Sequence, residues 1–330
     1  MSITLEVEEP EKHQKKVMEK MGNSDSSFTN AMELAQMGIS SVPNCYILPP
    51  EHRPNISQNL PSSTADLPVI DLSMLENSIL RELLIKQVSF ACKEFGFFQV
   101  INHGIPLSVI SDAVDTAAEF FDLPKESKMH LASNNIHEPV RKKMGDYAEA
   151  VHMLNVKLME VIFESLGLRA DYLQKDIEQG FQVMTANCYP ACPEPNLALG
   201  LPPHSDYGFL TIILQTHNGL EIMDFNKNWR SVPVILGGLV VQLGDQMEVL
   251  SNGRYKSAVH QATLNPVKRR LSIASIHSLA LEKKVQPAQE LVNEQHPLSY
   301  KGTSFRDFLD FLSSNDILHL KYIDTLRKNP

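Results

Sequence analysis

Three pairs of polar residues, each two positions apart, constrain this chain more than any other feature. They are Asn187/Tyr189 in TANCYPACPEP, His204/Asp206 in LPPHSDYGFLTIILQ and Arg270/Ser272 in KRRLSIASIHS. A lone His260, in KSAVHQATLNP, stands between the second and third. Each pair lies in or beside a β-branched, apolar run that reads as strand. Residues i and i+2 of a strand share a face. Each pair is therefore expected to aim two functional groups at one side of a sheet, while Cys188, Ser205 and Leu271 point away.

His204, Asp206 and His260 make a two-histidine, one-carboxylate set. That set suits non-haem Fe(II), because three protein ligands on one face of the metal leave its other positions open. The bound ion keeps one net positive charge for an anionic co-substrate to neutralise. Arg270 is the natural second anchor for such an anion, since its planar fork pairs bidentately with a carboxylate. Ser272 adds a hydroxyl on the same face. A small diacid fits between metal and Arg270, which points to 2-oxoglutarate. Among 12 histidines a His-x-Asp triplet is a weak signal. A later histidine with Arg-x-Ser ten residues beyond it makes the constellation specific.

With 330 residues, 43% of them hydrophobic, the chain can bury a large core, as two domains or one elaborated domain. A formal charge of −9 argues against a nucleic-acid or anionic-membrane partner. No apolar run approaches the roughly 20 residues of a membrane span. The N-terminus, MSITLEVEEPEKHQKK, lacks the apolar core of a secretory signal. Cys45, Cys92, Cys188 and Cys192 are too scattered for a disulfide scaffold and read as reduced thiols. A zinc site at Cys188 and Cys192 is disfavoured, because no second Cys or His pair flanks them. These readings point to the cytoplasm, or the nucleus, and to a monomer.

Along the chain, residues 1–27 read as disordered. Helical spacing covers Asn30–Ile39, Ser78–Phe95, Leu107–Phe121, Lys143–Leu168 and Asp171–Gly180, with a closing helix at Ser304–Leu312 and a polar tail. The second helix places Leu80, Leu83, Leu84, Val88 and Ala91 on one face. Asp71–Ser73 is expected to cap it. From Phe181, short strand-like runs alternate with turns: VMTANCY, GFLTIILQ, GLEIM, WRSVPV, LVVQLG, MEVLSN, SAVHQATL and RLSIASI. That spacing predicts a sandwich or barrel. Asn218–Gly219 reads as a hairpin turn. His103, His130, His137, His152, His217 and His277 lack matched partners and are expected to be structural. Met144, Met153 and Met159 are read as core or filler.

The chain resembles the plant-type 2-oxoglutarate- and Fe(II)-dependent dioxygenases, particularly those of the flavanone-3-hydroxylase, downy-mildew-resistance and gibberellin-oxidase kinds. The resemblance rests on FGFFQVINHGIP (Phe95–Pro106), NCYPACPEP (Asn187–Pro195), LPPHSD (Leu201–Asp206), LVVQLGDQMEVLSNGRYKSAVHQA (Leu239–Ala262) and RRLSIAS (Arg269–Ser275). It implies an α+β fold with a jelly-roll (double-stranded β-helix) core flanked by helices, similar to isopenicillin N synthase. It divides the chain into an N-terminal helix-and-strand region at 28–180, a jelly-roll core at 181–281 and a C-terminal helix and tail at 282–330.

The resemblance also implies Fe(II) on His204, Asp206 and His260. Arg270, Ser272 and Tyr189 would hold the far carboxylate of 2-oxoglutarate, and Asn187 would orient the metal-bound one. Ascorbate is the expected reductant. Phe209 and Ile276 are expected to line the substrate pocket, and the substrate to be a flavonoid, coumarin, other phenolic or gibberellin-like hormone that is hydroxylated or desaturated.

Two departures bear on the substrate. The family carries a few dozen further residues between the equivalents of Val140 and Lys142, forming a pocket strand and loop, and here the chain passes directly into the long helix. Where flavonoid-oxidising members often have an aromatic residue, this chain has Ile276. The first departure leaves a second reading open, a catalytically silent jelly-roll that binds metal and 2-oxoglutarate as a sensor or partner subunit.

Overall fold

The computed structural model describes residues 30–54, 67–124, 127–128, 138–314 and 321–328. The expectations for residues 1–27, His130 and His137 fall outside the described residues.

Among the described residues, ten strands form two sheets: β1 (Val69–Asp71), β2 (Phe97–Ile101), β3 (Phe181–Tyr189), β4 (Leu201–His204), β5 (Leu210–Gln215), β6 (Leu220–Met223), β7 (Trp229–Ser231), β8 (Leu239–Leu243), β9 (His260–Ala262) and β10 (Arg270–Ser278). The larger sheet runs β1-β2-β8-β5-β10-β3 and the smaller β4-β9-β6-β7. Side-chain alternation sorts the larger sheet into two faces. Leu210, Ile212 and Leu214 of β5 pack toward the helices. Ile213 points the other way and joins Phe97, Val240, Leu220, Ile222 and Val232 between the sheets. The interior of this two-sheet jelly-roll is where the polar pairs converge.

The described helices are α1 (Ala31–Gln36), α2 (Ser78–Glu94), α3 (Leu107–Asp122), α4 (Glu138–Ser165), α5 (Gln174–Glu178), α6 (Asp245–Leu250), α7 (Phe305–Ser314) and α8 (Tyr322–Leu326), of which α2, α3 and α4 pack on the larger sheet. The α4 stripe of Val151, Leu154, Leu158, Val161 and Ile162 is buried as its spacing predicts. Each such side chain contributes about 1.5–3 kcal/mol of burial.

Several expectations are corrected. The MEVLSN run is largely helical and lies mostly within α6, because a short, fully buried apolar run carries no period that separates strand from helix. Asn218–Gly219 links β5 to β6, which lie in different sheets, so it is a crossover and not a hairpin. Leu80 and Leu83 of α2 are exposed while Leu84, Val88 and Ala91 are buried. Asn77, not Asp71–Ser73, caps α2 by accepting from the Ile79 and Leu80 amides, while Asp71 caps the short 3-10 turn before it. Met153 is exposed, unlike buried Met159. The polar tail conceals α8, whose Tyr322, Ile323 and Leu326 dock on the core.

Candidate active site

β4 and β9 run antiparallel with His204 directly opposite His260, and the imidazole centroids lie 4.2 Å apart. β4 ends at His204, so the turn that follows it, rather than strand alternation, carries Asp206. His204 Nδ1 lies 2.8 Å from the Pro202 carbonyl and His260 Nδ1 3.2 Å from the Ala258 carbonyl. A carbonyl only accepts, so each Nδ1 holds the hydrogen and each Nε2 is left with its lone pair. The two Nε2 atoms stand 3.7 and 3.9 Å from the Asp206 carboxylate oxygens. One ligand atom from each residue lies within 4.8 Å of the others, a spread that one metal ion spans. Burial holds the His260 pKa below its usual value, against the pull of Asp206, which favours the neutral ring a metal needs.

Across the barrel, β10 pairs with β3 so that Arg270 opposes Tyr189 and Ser272 opposes Asn187. Two pairs that are distant in sequence thus become one two-by-two patch. The Arg270 guanidinium sits 5.2 Å from the Tyr189 ring centroid. Its Nε donates to the His217 carbonyl at 3.0 Å and its Nη2 to Gln215 Oε1 at 3.1 Å. Arg270 is 3% exposed, burial lowers its pKa, and its hydrogen-bond partners are neutral. A buried cation without a carboxylate partner is costly unless an anion arrives.

Two residues that support the site escaped the sequence reading. Tyr207, beside Asp206, is stacked on Phe308 with centroids 4.4 Å apart, and its hydroxyl lies 3.3 Å from Thr303 Oγ1. Asp245 donates its amide to the Asp206 carbonyl at 2.8 Å, and burial pushes its own carboxyl up to about 7. A buried acid right after LVVQLG was the signal available for Asp245; for Tyr207 there was none, since its partners lie some hundred residues away.

Ile276 is partly buried on the interior face of β10, opposite Val183 of β3. β3 is an outer strand of its sheet, and Val183 is 39% exposed. Phe209 departs from expectation. It is packed in the helix-side core and lines a small cavity with His277 and Met159, because the turn at Gly208 sends it outward. An apolar cavity of about 350 Å³ lies beside the two-by-two patch, lined by Leu34, Ile39, Val42, Tyr46, Asn187 and Tyr189. Three of the other described histidines make packing or backbone contacts away from the cluster. His103 bonds the Gly237 carbonyl at 2.8 Å and accepts from the Ile105 amide, while His152 and His277 pack on each other.

A jelly-roll with a two-histidine, one-carboxylate cluster on one inner wall and a buried arginine on the other defines a class, the metal-dependent jelly-roll oxygenases. The family models agree: "2OG-Fe(II) oxygenase superfamily" matches residues 180–278, and "non-haem dioxygenase in morphine synthesis N-terminal" matches residues 67–157. The chain is 41% identical over 309 residues to the rice (Oryza sativa subsp. japonica) "2-oxoglutarate-dependent dioxygenase 21, chloroplastic", covering 81% of this chain and 93% of that one. It is 39% identical over 303 residues to rice "Flavanone 3-dioxygenase 3", covering 79% and 93%. The crystal structure of JOX2 in complex with 2OG, Fe and JA matches with a TM-score of 0.79 at 27% identity, covering 92% of this chain and 99% of that chain. The chain belongs to the 2OG-Fe(II) oxygenase superfamily and is a 2-oxoglutarate-dependent dioxygenase. The 309 aligned positions exceed the stretch of this chain they engage, so the first relative carries residues inside the match that are missing here.

Proposed function

We propose that the chain hydroxylates or desaturates a small plant metabolite, with His204, Asp206 and His260 holding Fe(II) and Arg270 holding 2-oxoglutarate. The observation that carries this reading is the buried, carboxylate-free Arg270, which faces the same interior as a cluster able to hold a metal. With iron bound, 2-oxoglutarate and O2 supply the oxidant, yielding succinate and CO2 as a substrate C–H bond is oxidised. The residues bind and orient. Arg270 meets the far carboxylate bidentately, Ser272 and Tyr189 donate hydroxyl hydrogen bonds to it, and Asn187 orients the end nearer the metal. Backbone carbonyls fix both imidazoles in the tautomer that presents Nε2. The wall around Ile276 places the substrate.

Relatives named for flavanone support a flavonoid or other phenolic substrate, and gibberellin-like hormones remain in the proposed range. Ascorbate is the proposed reductant, and the working unit a monomer without nucleic-acid or membrane partners. Among the described residues no helix is long and apolar enough to cross a membrane. Four free cysteines favour a reducing compartment, proposed as the cytoplasm or nucleus, although one rice relative is named as chloroplastic. Residues 28–180, 181–281 and 282–330 serve as proposed functional regions. The silent-binder reading draws on the exposed Val183 wall.

Anaerobic titration with Fe(II) and 2-oxoglutarate, followed through the weak visible charge-transfer band, and then O2 with a succinate assay, tests both readings. A band with succinate release is expected. A band without succinate across a broad substrate panel selects the silent binder, and no band overturns the site.

A further inference from the structure

Among the buried polar side chains on the inner wall, Arg270 and Gln215 pair with each other, whereas Thr211 and Gln242 stand in a row of otherwise apolar side chains, and Gln99 of β2 faces the same interior with an unpartnered Nε2. Ile213 and Val240 face the interior with Phe97, Leu220 and Ile222, so alternation turns Thr211 of β5 and Gln242 of β8 to that same side. Thr211 lies opposite Gln242 in one ladder and opposite Ile276 in the next, and Ile276 lies opposite Val183. One cross-strand row therefore runs Val183, Ile276, Thr211, Gln242, from the outer strand β3 inward. Ser272 and Arg270 share its face of β10.

Thr211 is 0% exposed and Gln242 1%. Thr211 Oγ1, Gln242 Oε1 and Gln242 Nε2 have no hydrogen-bond partner among the described residues. The backbones of β5 and β8 are paired in their ladders, so neither side chain is needed to hold the sheet. Valine and leucine would fill the same space without stranding polar atoms. Together the hydroxyl and the amide offer both donors and acceptors.

We propose that Thr211 and Gln242 form a polar subsite for a hydroxyl or carbonyl oxygen of the substrate, whose apolar body lies against Ile276 and Val183. The inference rests on the dioxygenase reading above and narrows it to substrates that carry an oxygen on the end entering the barrel. An ordered water serving only the fold is the competing occupant.

Phenol and toluene, matched in shape and differing in one hydroxyl, are the probes. Their binding is measured by protein-observed NMR on the full chain, metal-free and with Zn(II) and 2-oxoglutarate. The parent should bind phenol about tenfold tighter than toluene, since a site built to pair a hydroxyl rejects the analogue lacking it. In Thr211→Val and Gln242→Leu the preference should shrink to about twofold or less, with Tm unchanged or raised. Equal binding in the parent, or a preference that survives both substitutions, overturns the subsite. A variant that melts several degrees lower while keeping the preference assigns the pair to the fold. If neither variant folds, the parent comparison alone decides. Loss of metal or 2-oxoglutarate binding, read in a separate titration of the same samples, would overturn the dioxygenase site and leave the phenol comparison standing.

Discussion

Asp206 is the only charged member of the metal cluster, and that asymmetry makes it the most informative residue to remove. Asp206→Ala leaves two neutral imidazoles and should abolish tight Fe(II) binding, read as iron stoichiometry after desalting; full retention of iron would dismiss the cluster. Arg270→Ala should weaken 2-oxoglutarate binding by about 2–5 kcal/mol while sparing iron. Unchanged co-substrate affinity by calorimetry would remove Arg270 from the role. His277 belongs to stability rather than to the site. Burial, with His152 adding to it, pushes its pKa from 6.5 down to about 3, so the native state keeps the ring neutral. Below pH 6.5 the unfolded chain takes up a proton that the native chain refuses. Stability should therefore fall by about 1.4 kcal/mol per pH unit as pH drops from 6.5 toward 3. Urea midpoints at several pH values check this, and His277→Gln should flatten the slope. Asp206, Arg270 and their partners were legible in the sequence because short-range spacing and ligand chemistry are local properties. The direct pairings of His204 with His260 and of Arg270 with Tyr189 were not, because strand register depends on residues far away along the chain.

Elements, not single ligands, hold Asp206 where it is. The turn after β4 has no ladder of its own at that residue, and it is clamped through Tyr207 to α7 and through Asp245 to the start of α6. Tyr207 also lies 5.6 Å, centroid to centroid, from Tyr322 of α8. Tyr207→Ala should cost about 3–5 kcal/mol of stability, as expected for removing a buried aromatic ring. It should also lower iron affinity, measured by competition with a chelator. A stability loss with unaltered iron affinity would mean that the clamp does not reach Asp206. The sequence announced long, strongly periodic helices such as α4 well, since a 3.6-residue stripe repeated over many turns is hard to mistake. It misjudged α6 and hid α8, where six and five residues carry too little pattern to set a period.

At the scale of the whole molecule, the two-sheet barrel and its helical backing follow the family. Residues present in the rice relative are missing within the matched stretch, and the interior-facing Val183 of β3 is 39% exposed. With Val183 on the inner face open to water, 2-oxoglutarate consumption should outrun substrate oxidation, seen as a succinate-to-product ratio above one. A ratio of one with a good substrate would show that the remaining wall suffices. The same strand bears on how the protein behaves in a concentrated solution. Phe181–Tyr189, FQVMTANCY, contains no charged residue and no proline, and among the described residues β3 has a ladder neighbour on one side only. Unpaired backbone on an uncharged outer strand is a template for another chain, and natural proteins commonly guard such strands with lysine. Helix α1 shields the far end, where Met32 meets Cys188, and leaves the stretch around Thr185 exposed. Shelf life at high concentration would then be governed by colloidal assembly through this edge rather than by melting of the core.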